Sequence, residues 1–285
     1  DMRYRLGAAP IAVPVTETER IPTWQGVATV QTISRRLEDY LPVVEPVVDW
    51  AKIEAMRNEL VRGGKAFFDA VVHGLSGAGI DTRDPAQMLL VLKRLGSTRC
   101  EELFGAGEPD PDFPRGRRPV LETDLVRRTM EERERLLVEL QGRREEEALR
   151  GMKVLVTSTD VHEFAEFLLA STLSAVGTEV IDFGINRDPE DIVKAVIETD
   201  ADAVVITTHN GVARSFGRLL MDELRGVGAD EVLVFMGGVL NEDVDGSDIP
   251  VDVRADLNAN GIGTPGTIDR LVDALIERRA DGVPA

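Results

Sequence analysis

The chain has 285 residues, 43% of them hydrophobic, which is enough for a packed core in each of two ordinary domains. A formal net charge of −18 argues against binding a phosphate backbone, which needs clustered Lys and Arg, and no apolar run approaches the roughly 18 residues of a membrane span. Nucleic acid and membranes are not expected partners; with one cysteine, Cys100, and no basic-then-apolar leader pattern, the expected compartment is cytoplasmic.

The first segment, Asp1 to Leu6, reads like the middle of a protein, so the chain is expected to be a processed or dissected piece of something longer. Ile11 to Val15 forms a short apolar strand and Thr23 to Tyr40 a helix, after which Pro42 to Pro46 breaks the chain. Trp50 to Leu75 has apolar positions at helical spacing, and Pro85 to Leu95 reads as another helix. His73, on the apolar face of the first of these, is expected to be structural, and Cys100 to be a buried or half-buried thiol in a helix-like stretch. The prolines of Glu108 to Pro114 exclude regular structure there. Glu122 to about Arg150 interleaves Glu and Arg at three- and four-residue spacings, the pattern of a solvated connector helix.

From residue 146 the pattern changes to alternating strands and helices. Lys153 to Thr157, Val180 to Phe183, Ala203 to Ile206 and Val232 to Met236 are short apolar strands, with a fifth near Ile262. Helices follow over Glu163 to Val176, from Asp188-Pro189-Glu190 with Asp at the N-cap, over Val212 to Leu224 and over Thr267 to Arg278. The insert Asn241 to Gly261 carries a polar turn at Asp243 to Gly246 and then a helix. This is an α/β pattern for a flavodoxin-like parallel sheet, whose ligands bind beyond the carboxyl ends of the strands. The expected domains are 1–145, mostly helical, and 146–285.

Three segments converge on that edge. Asp160-Val161-His162 follows the first strand, and there a neutral imidazole is a good metal ligand while the carboxylate two residues earlier fixes its tautomer. Thr207-Thr208-His209 follows the third strand and Gly237-Gly238 ends the fourth, where missing side chains let a bulky ligand approach the backbone. Taken singly, each also fits a plain structural role: a polar contact in a turn, or a tight strand-to-helix turn.

Taken together with Ala165, they resemble the cobalamin-binding signature Asp-x-His-x-x-Gly, Ser-x-Leu, Gly-Gly. Thr264-Pro265-Gly266-Thr267 resembles the Pro-Gly-Thr segment that walls the nucleotide-tail pocket in adenosylcobalamin-dependent carbon-skeleton mutases. The length of the insert is similar to that in the small subunit of glutamate mutase (methylaspartate mutase). The resemblance covers about Met152 to Arg278. It implies adenosylcobalamin as cofactor and His162 as the lower ligand to cobalt. It implies cofactor contacts from Thr159, Asp160, Val161, His162, Glu163, Thr207, Thr208, His209, Gly237, Gly238, Val239, Leu240, Thr264, Pro265, Gly266 and Thr267. Two positions depart from the signature, Ala165 for glycine and His209 for leucine.

A second resemblance, over Ile11 to Thr23, is to a late strand and loop of the catalytic barrel of the large subunit of glutamate mutase. It implies a catalytic Glu17 touching the adenosyl ribose, with Val13 where the family has lysine. The implied activity is an isomerase's radical rearrangement of a small amino-acid or acid substrate. A complete barrel needs on the order of 250 residues, so the chamber is expected from a catalytic barrel subunit or a missing N-terminal barrel. Three alternatives stay open: a corrinoid protein of a methyl-transfer system, a cobalamin-responsive regulator, and a flavodoxin-like domain without cobalamin.

Overall fold

The computed structural model describes residues 24–37, 48–140, 148–244, 247 and 250–280. The expected strand at Ile11 to Val15, Glu17 and the barrel-like segment lie outside the described residues, as do the break at Pro42 to Pro46 and part of the polar turn at Asp243 to Gly246. The chain divides into two compact units, one of Val44–Glu131 and one that includes Glu132–Ala285.

The helical region comprises α1 (Trp24–Leu37), α2 (Trp50–Gly77), α3 (Pro85–Phe104) and α4 (Asp124–Leu140). Asp49 caps α2 by accepting from the Lys52 N–H at 2.9 Å, and Asp84 caps α3 through the N–H groups of Ala86 and Gln87, with Pro85 in the first turn. α3 runs past the expected end at Leu95 because Gly96, at φ +77°, kinks the helix without ending it. Val71, Leu75 and Met88 form a small core with Phe67 and Phe104 around them. Cys100 is buried, its thiol 3.6 Å from the Leu92 carbonyl oxygen. His73, expected on a buried face, is exposed: Val71 and Leu75 take the inward positions on either side of it. The connector expected over Glu122 to Arg150 is helical over Asp124–Leu140, laced by pairs such as Arg135 with Glu132 and Glu139, and residues 141–147 lie outside the description.

The unit that includes Glu132–Ala285 holds a five-stranded parallel sheet with helices on both faces. In chain order it runs β1 (Lys153–Ser158), α5 (Glu163–Ala175), β2 (Glu179–Gly184), α6 (Pro189–Thr199), β3 (Ala203–Thr208), α7 (Ala213–Gly226) and β4 (Leu233–Gly238). It continues through β5 (Asn241–Glu242), β6 (Val251–Asp252), α8 (Arg254–Ala259), β7 (Ile262–Gly263) and α9 (Ile268–Ala280). The strand order β2-β1-β3-β4-β7 is the flavodoxin-like one, with β1 and β3 central. The expected fifth strand at Ile262 is β7.

Successive residues of a strand point to opposite faces, and both faces are filled. Val154 and Val156 of β1 pack with Val205, Leu169, Leu173, Leu271 and Leu275 under α5 and α9. Leu155 packs with Ile206, Ile192, Leu220 and Leu257 under α6, α7 and α8. This double burial is why the strands read as unbroken apolar runs. Within the insert, β5 and β6 form a short antiparallel pair that the sequence did not suggest. Asp188 occupies the N-cap of α6 but makes no side-chain capping bond, so Pro189 carries the start of that helix.

Candidate functional site

The parallel register brings the ends of β1, β3 and β4 level: Ser158 lies opposite Thr207, and Thr207 and Thr208 opposite Gly237 and Gly238. Three of the chain's exits from the sheet therefore lie side by side along one edge. The first exit is a turn built around Asp160, which is 8% exposed. Asp160 Oδ1 accepts from the His162 N–H at 2.9 Å, lies 2.6 Å from His162 Nδ1, and accepts from Ser158 Oγ at 3.2 Å. Its other oxygen, Oδ2, accepts from the His209 N–H at 2.6 Å. One carboxylate thus ties the turn after β1 to the turn after β3.

The second turn is fixed from the same side. Thr159 Oγ1 donates to Thr208 Oγ1 at 2.8 Å, Thr208 Oγ1 donates to Asn210 at 3.1 Å, and the Val239 N–H reaches the Thr208 carbonyl at 2.8 Å. The loop after β2 closes on the first turn through the Asn186 N–H to the Asp160 carbonyl at 3.0 Å, with Asn186 at φ +56°, a conformation asparagine tolerates.

Burial opposes ionisation of Asp160. The His209 imidazole, then the His162 N–H and ring and the His209 N–H, outweigh it and hold the carboxyl well below the usual carboxylate range. Asp160 is a fixed anion, with the His162 imidazole on one oxygen and the His209 backbone N–H on the other. The His162 and His209 rings lie 4.7 Å apart, tilted by 46°. His162 is half-exposed, and its bond to Asp160 through Nδ1 leaves Nε2 as the donor for a metal.

Beside this cluster lies a cleft of about 160 Å3, walled by Ala165, Leu168 and Leu169 of α5, by Thr207 and Gly237-Gly238 at the strand ends, and by Pro265-Gly266-Thr267 and Leu271. Its wall is largely apolar. Thr207 Oγ1, buried at this wall, has no hydrogen-bond partner. Gly238 is required by the backbone: at φ +99° an added Cβ would lie 2.3 Å from the Thr208 carbonyl oxygen. Gly237 is different, because a Cβ there would meet no protein atom within 4 Å. An orphaned hydroxyl and a glycine that packing does not demand fit a bulky ligand with a polar tail.

Most of the expected residues converge here, and four need qualification. Leu240 is 3% exposed within the core under α7 and α8, so its side chain supports the sheet and does not face a ligand. Thr264 is occupied by hydrogen bonds with Asn258 at 3.0 and 3.2 Å. Val161 is 71% exposed, and Glu163 begins α5. Sequence reading missed Ser158 and Asn210, which brace the turns, and the apolar wall from Leu168 and Leu169. The wall has a signal, since these residues lie one helical turn and more beyond His162 on an apolar helix.

One further buried acid lies nearby. Glu166 on α5 is 6% exposed, and its Oε1 has no hydrogen-bond partner. Burial, then the charge and hydrogen bonding of Asp182 and the charge of Glu163, push its carboxyl up to about 9.

Residues 153–255 match the B12 binding domain family. Among curated relatives, the chain is 29% identical over 131 residues to the fused isobutyryl-CoA mutase of Paraburkholderia xenovorans (strain LB400), covering 44% of this chain and 10% of that one. It is 34% identical over 85 residues to the glutamate mutase sigma subunit of Carboxydothermus hydrogenoformans, and 38% identical over 85 residues to glutamate mutase sigma subunit 1 of Haloarcula marismortui. Each of these covers 30% of this chain, and 62% and 56% of the respective subunit. The chain thus spans about a tenth of the fused mutase and about three-fifths of the sigma subunits. It carries a B12-binding domain homologous to segments of these mutases.

Proposed function

We propose that this chain is the cobalamin-binding part of an adenosylcobalamin-dependent carbon-skeleton mutase of the glutamate mutase type, an isomerase, with His162 as the lower ligand to cobalt. The observation that carries the reading is the 2.6 Å contact between His162 Nδ1 and the fixed Asp160 carboxylate, at the carboxyl edge of the sheet and beside the cleft. Such a carboxylate sets the tautomer and raises the basicity of the ring toward a metal.

Thr207 would meet the polar end of the nucleotide tail with its free hydroxyl, Gly237-Gly238 and Pro265-Gly266-Thr267 would enclose the tail, and Ala165, Leu168 and Leu169 would exclude water from it. Thr159 and Thr208 position the two turns. When bound, the cofactor supplies the radical chemistry of the rearrangement. The residues of 146–285 bind and orient it, while the substrate, a small amino acid or acid, is held by a catalytic barrel from a partner chain or from upstream sequence. Glu17, through its resemblance to a barrel glutamate, belongs to that barrel side. Helices α2 to α4 belong to the expected region 1–145, and no cofactor contact is assigned to them.

The test is a titration of the purified chain with cob(II)alamin and adenosylcobalamin, followed by ultraviolet-visible and electron paramagnetic resonance spectra. Wild type is expected to give a base-off spectrum with nitrogen coupling from a protein imidazole, and His162→Ala to lose that coupling. Coupling that persists unchanged in His162→Ala defeats the ligand assignment. A chain that binds no cobalamin defeats the whole reading.

A further inference from the structure

We propose that Asp160, His162 and His209 also form a chelating site for a divalent transition-metal ion of the zinc, cobalt or nickel class. One nitrogen of each imidazole and one oxygen of the carboxylate lie within 4.8 Å of one another. The donors come from two turns, and the hydrogen bonds of Asp160 to both backbones hold the turns together.

The second observation concerns His209. Its Nδ1 is buried and makes no hydrogen bond, although it points to within 3.7 Å of Asp160 Oδ2. That separation is too long for a hydrogen bond. It suits two donors on one ion, since metal–ligand bonds of about 2.1 Å in a tetrahedral shell place neighbouring donors about 3.4 Å apart. An ion would satisfy the buried nitrogen. Ser158 Oγ and the two backbone N–H groups hold the carboxylate in place as an outer layer of support. His162 is half-exposed, which leaves a side open for water to complete the shell.

Two imidazoles and one carboxylate favour zinc, cobalt or nickel over magnesium or calcium, which prefer oxygen ligands. The site stands on three side chains and is independent of the cofactor reading. That metal and corrinoid exclude each other does rest on that reading, because both use His162. In that case a bound ion would oppose cofactor loading, and His209 would be the residue that confers this control.

The experiment uses the full chain, freed of metal by chelation and dialysis. Zinc chloride is titrated calorimetrically, and cobalt(II) chloride by its visible absorption. One ion per chain is expected, with magnesium giving no heat. His209→Leu, His209→Gln and Asp160→Asn are each expected to weaken zinc binding at least tenfold, with circular dichroism unchanged in at least one His209 variant. His73→Ala, remote in sequence from the cluster, is expected to bind as wild type. Absence of a zinc isotherm, or wild-type affinity in both His209 variants, overturns the proposal. Zinc binding that adenosylcobalamin does not displace leaves the metal site standing and counts against His162 as cobalt ligand. Cobalamin binding without zinc binding does the reverse.

Discussion

Asp160 and Glu166 are two buried carboxyl groups six positions apart that take opposite charge states, and the difference lies in their donors. Asp160 faces two backbone N–H groups, a hydroxyl and the His162 imidazole, whereas Glu166 faces Asp182 and leaves one oxygen without a partner. With a folded value of about 9, against about 4.3 for an unfolded glutamate, Glu166 keeps its proton in the native state through neutral pH. Between those two values the native protein binds one more proton than the unfolded chain, so this residue makes stability fall as pH rises. Glu166→Gln keeps the shape and removes the titration. The variant is expected to be more stable than wild type by about 1–3 kcal/mol at pH 8, with a smaller advantage at pH 5. Urea unfolding at the two pH values checks this, and an advantage independent of pH would refute the assigned protonation. Of these two residues only Asp160 was legible in the sequence. Its meaning came from spacing within one turn, while that of Glu166 depends on Asp182 of the neighbouring strand.

At the scale of elements, legibility followed whether the structure-forming interaction is local. The core strands announced themselves as apolar runs because both faces of the sheet are covered. The β5–β6 pair did not, since two-residue strands are too short to show alternation and their partners are separated by the polar turn of the insert. The kink at Gly96 was misplaced as a helix end for a related reason: a lone glycine signals a break but does not tell whether the helix resumes. The end of β4 offers a test of the cleft itself. Gly238 is needed by the fold, but Gly237 lines the cleft with no protein atom near its missing Cβ. Gly237→Val is therefore expected to leave the thermal unfolding midpoint within about 4 °C of wild type, the shift of a change under about 1 kcal/mol, while reducing cobalamin affinity at least tenfold. Equilibrium dialysis against cobalamin measures the second quantity. Unchanged affinity with unchanged stability would place the nucleotide tail elsewhere.

Across the whole molecule the two units differ in how much core each possesses. The sheet unit has two continuous clusters, one on each face, with Leu155, Leu173, Ile206, Leu220 and Leu275 fully buried. The unit of Val44–Glu131 has Val71, Leu75 and Met88 at its centre, and leaves Leu60, Val61, Phe68, Leu89 and Leu90 exposed. Hydrophobic stabilisation scales with apolar area removed from water, so the helical unit has the smaller share of it per residue. Its many Arg–Glu pairs, such as those of Arg57, Arg62 and Arg99, lie on the surface and offset little of that difference. Opening free energies should then fall into two groups. Amide hydrogen exchange on the full chain is expected to show the slowest exchange in β1, β3 and β4, and exchange at least tenfold faster throughout α2 and α3. Cobalamin should slow exchange further at residues 159–163 and 207–210, where the two turns share Asp160, and leave α2 and α3 unaffected. Equal protection in the two units would mean that exposed apolar residues of α2 and α3 are covered in solution, and that the helical unit owes its stability to a partner surface.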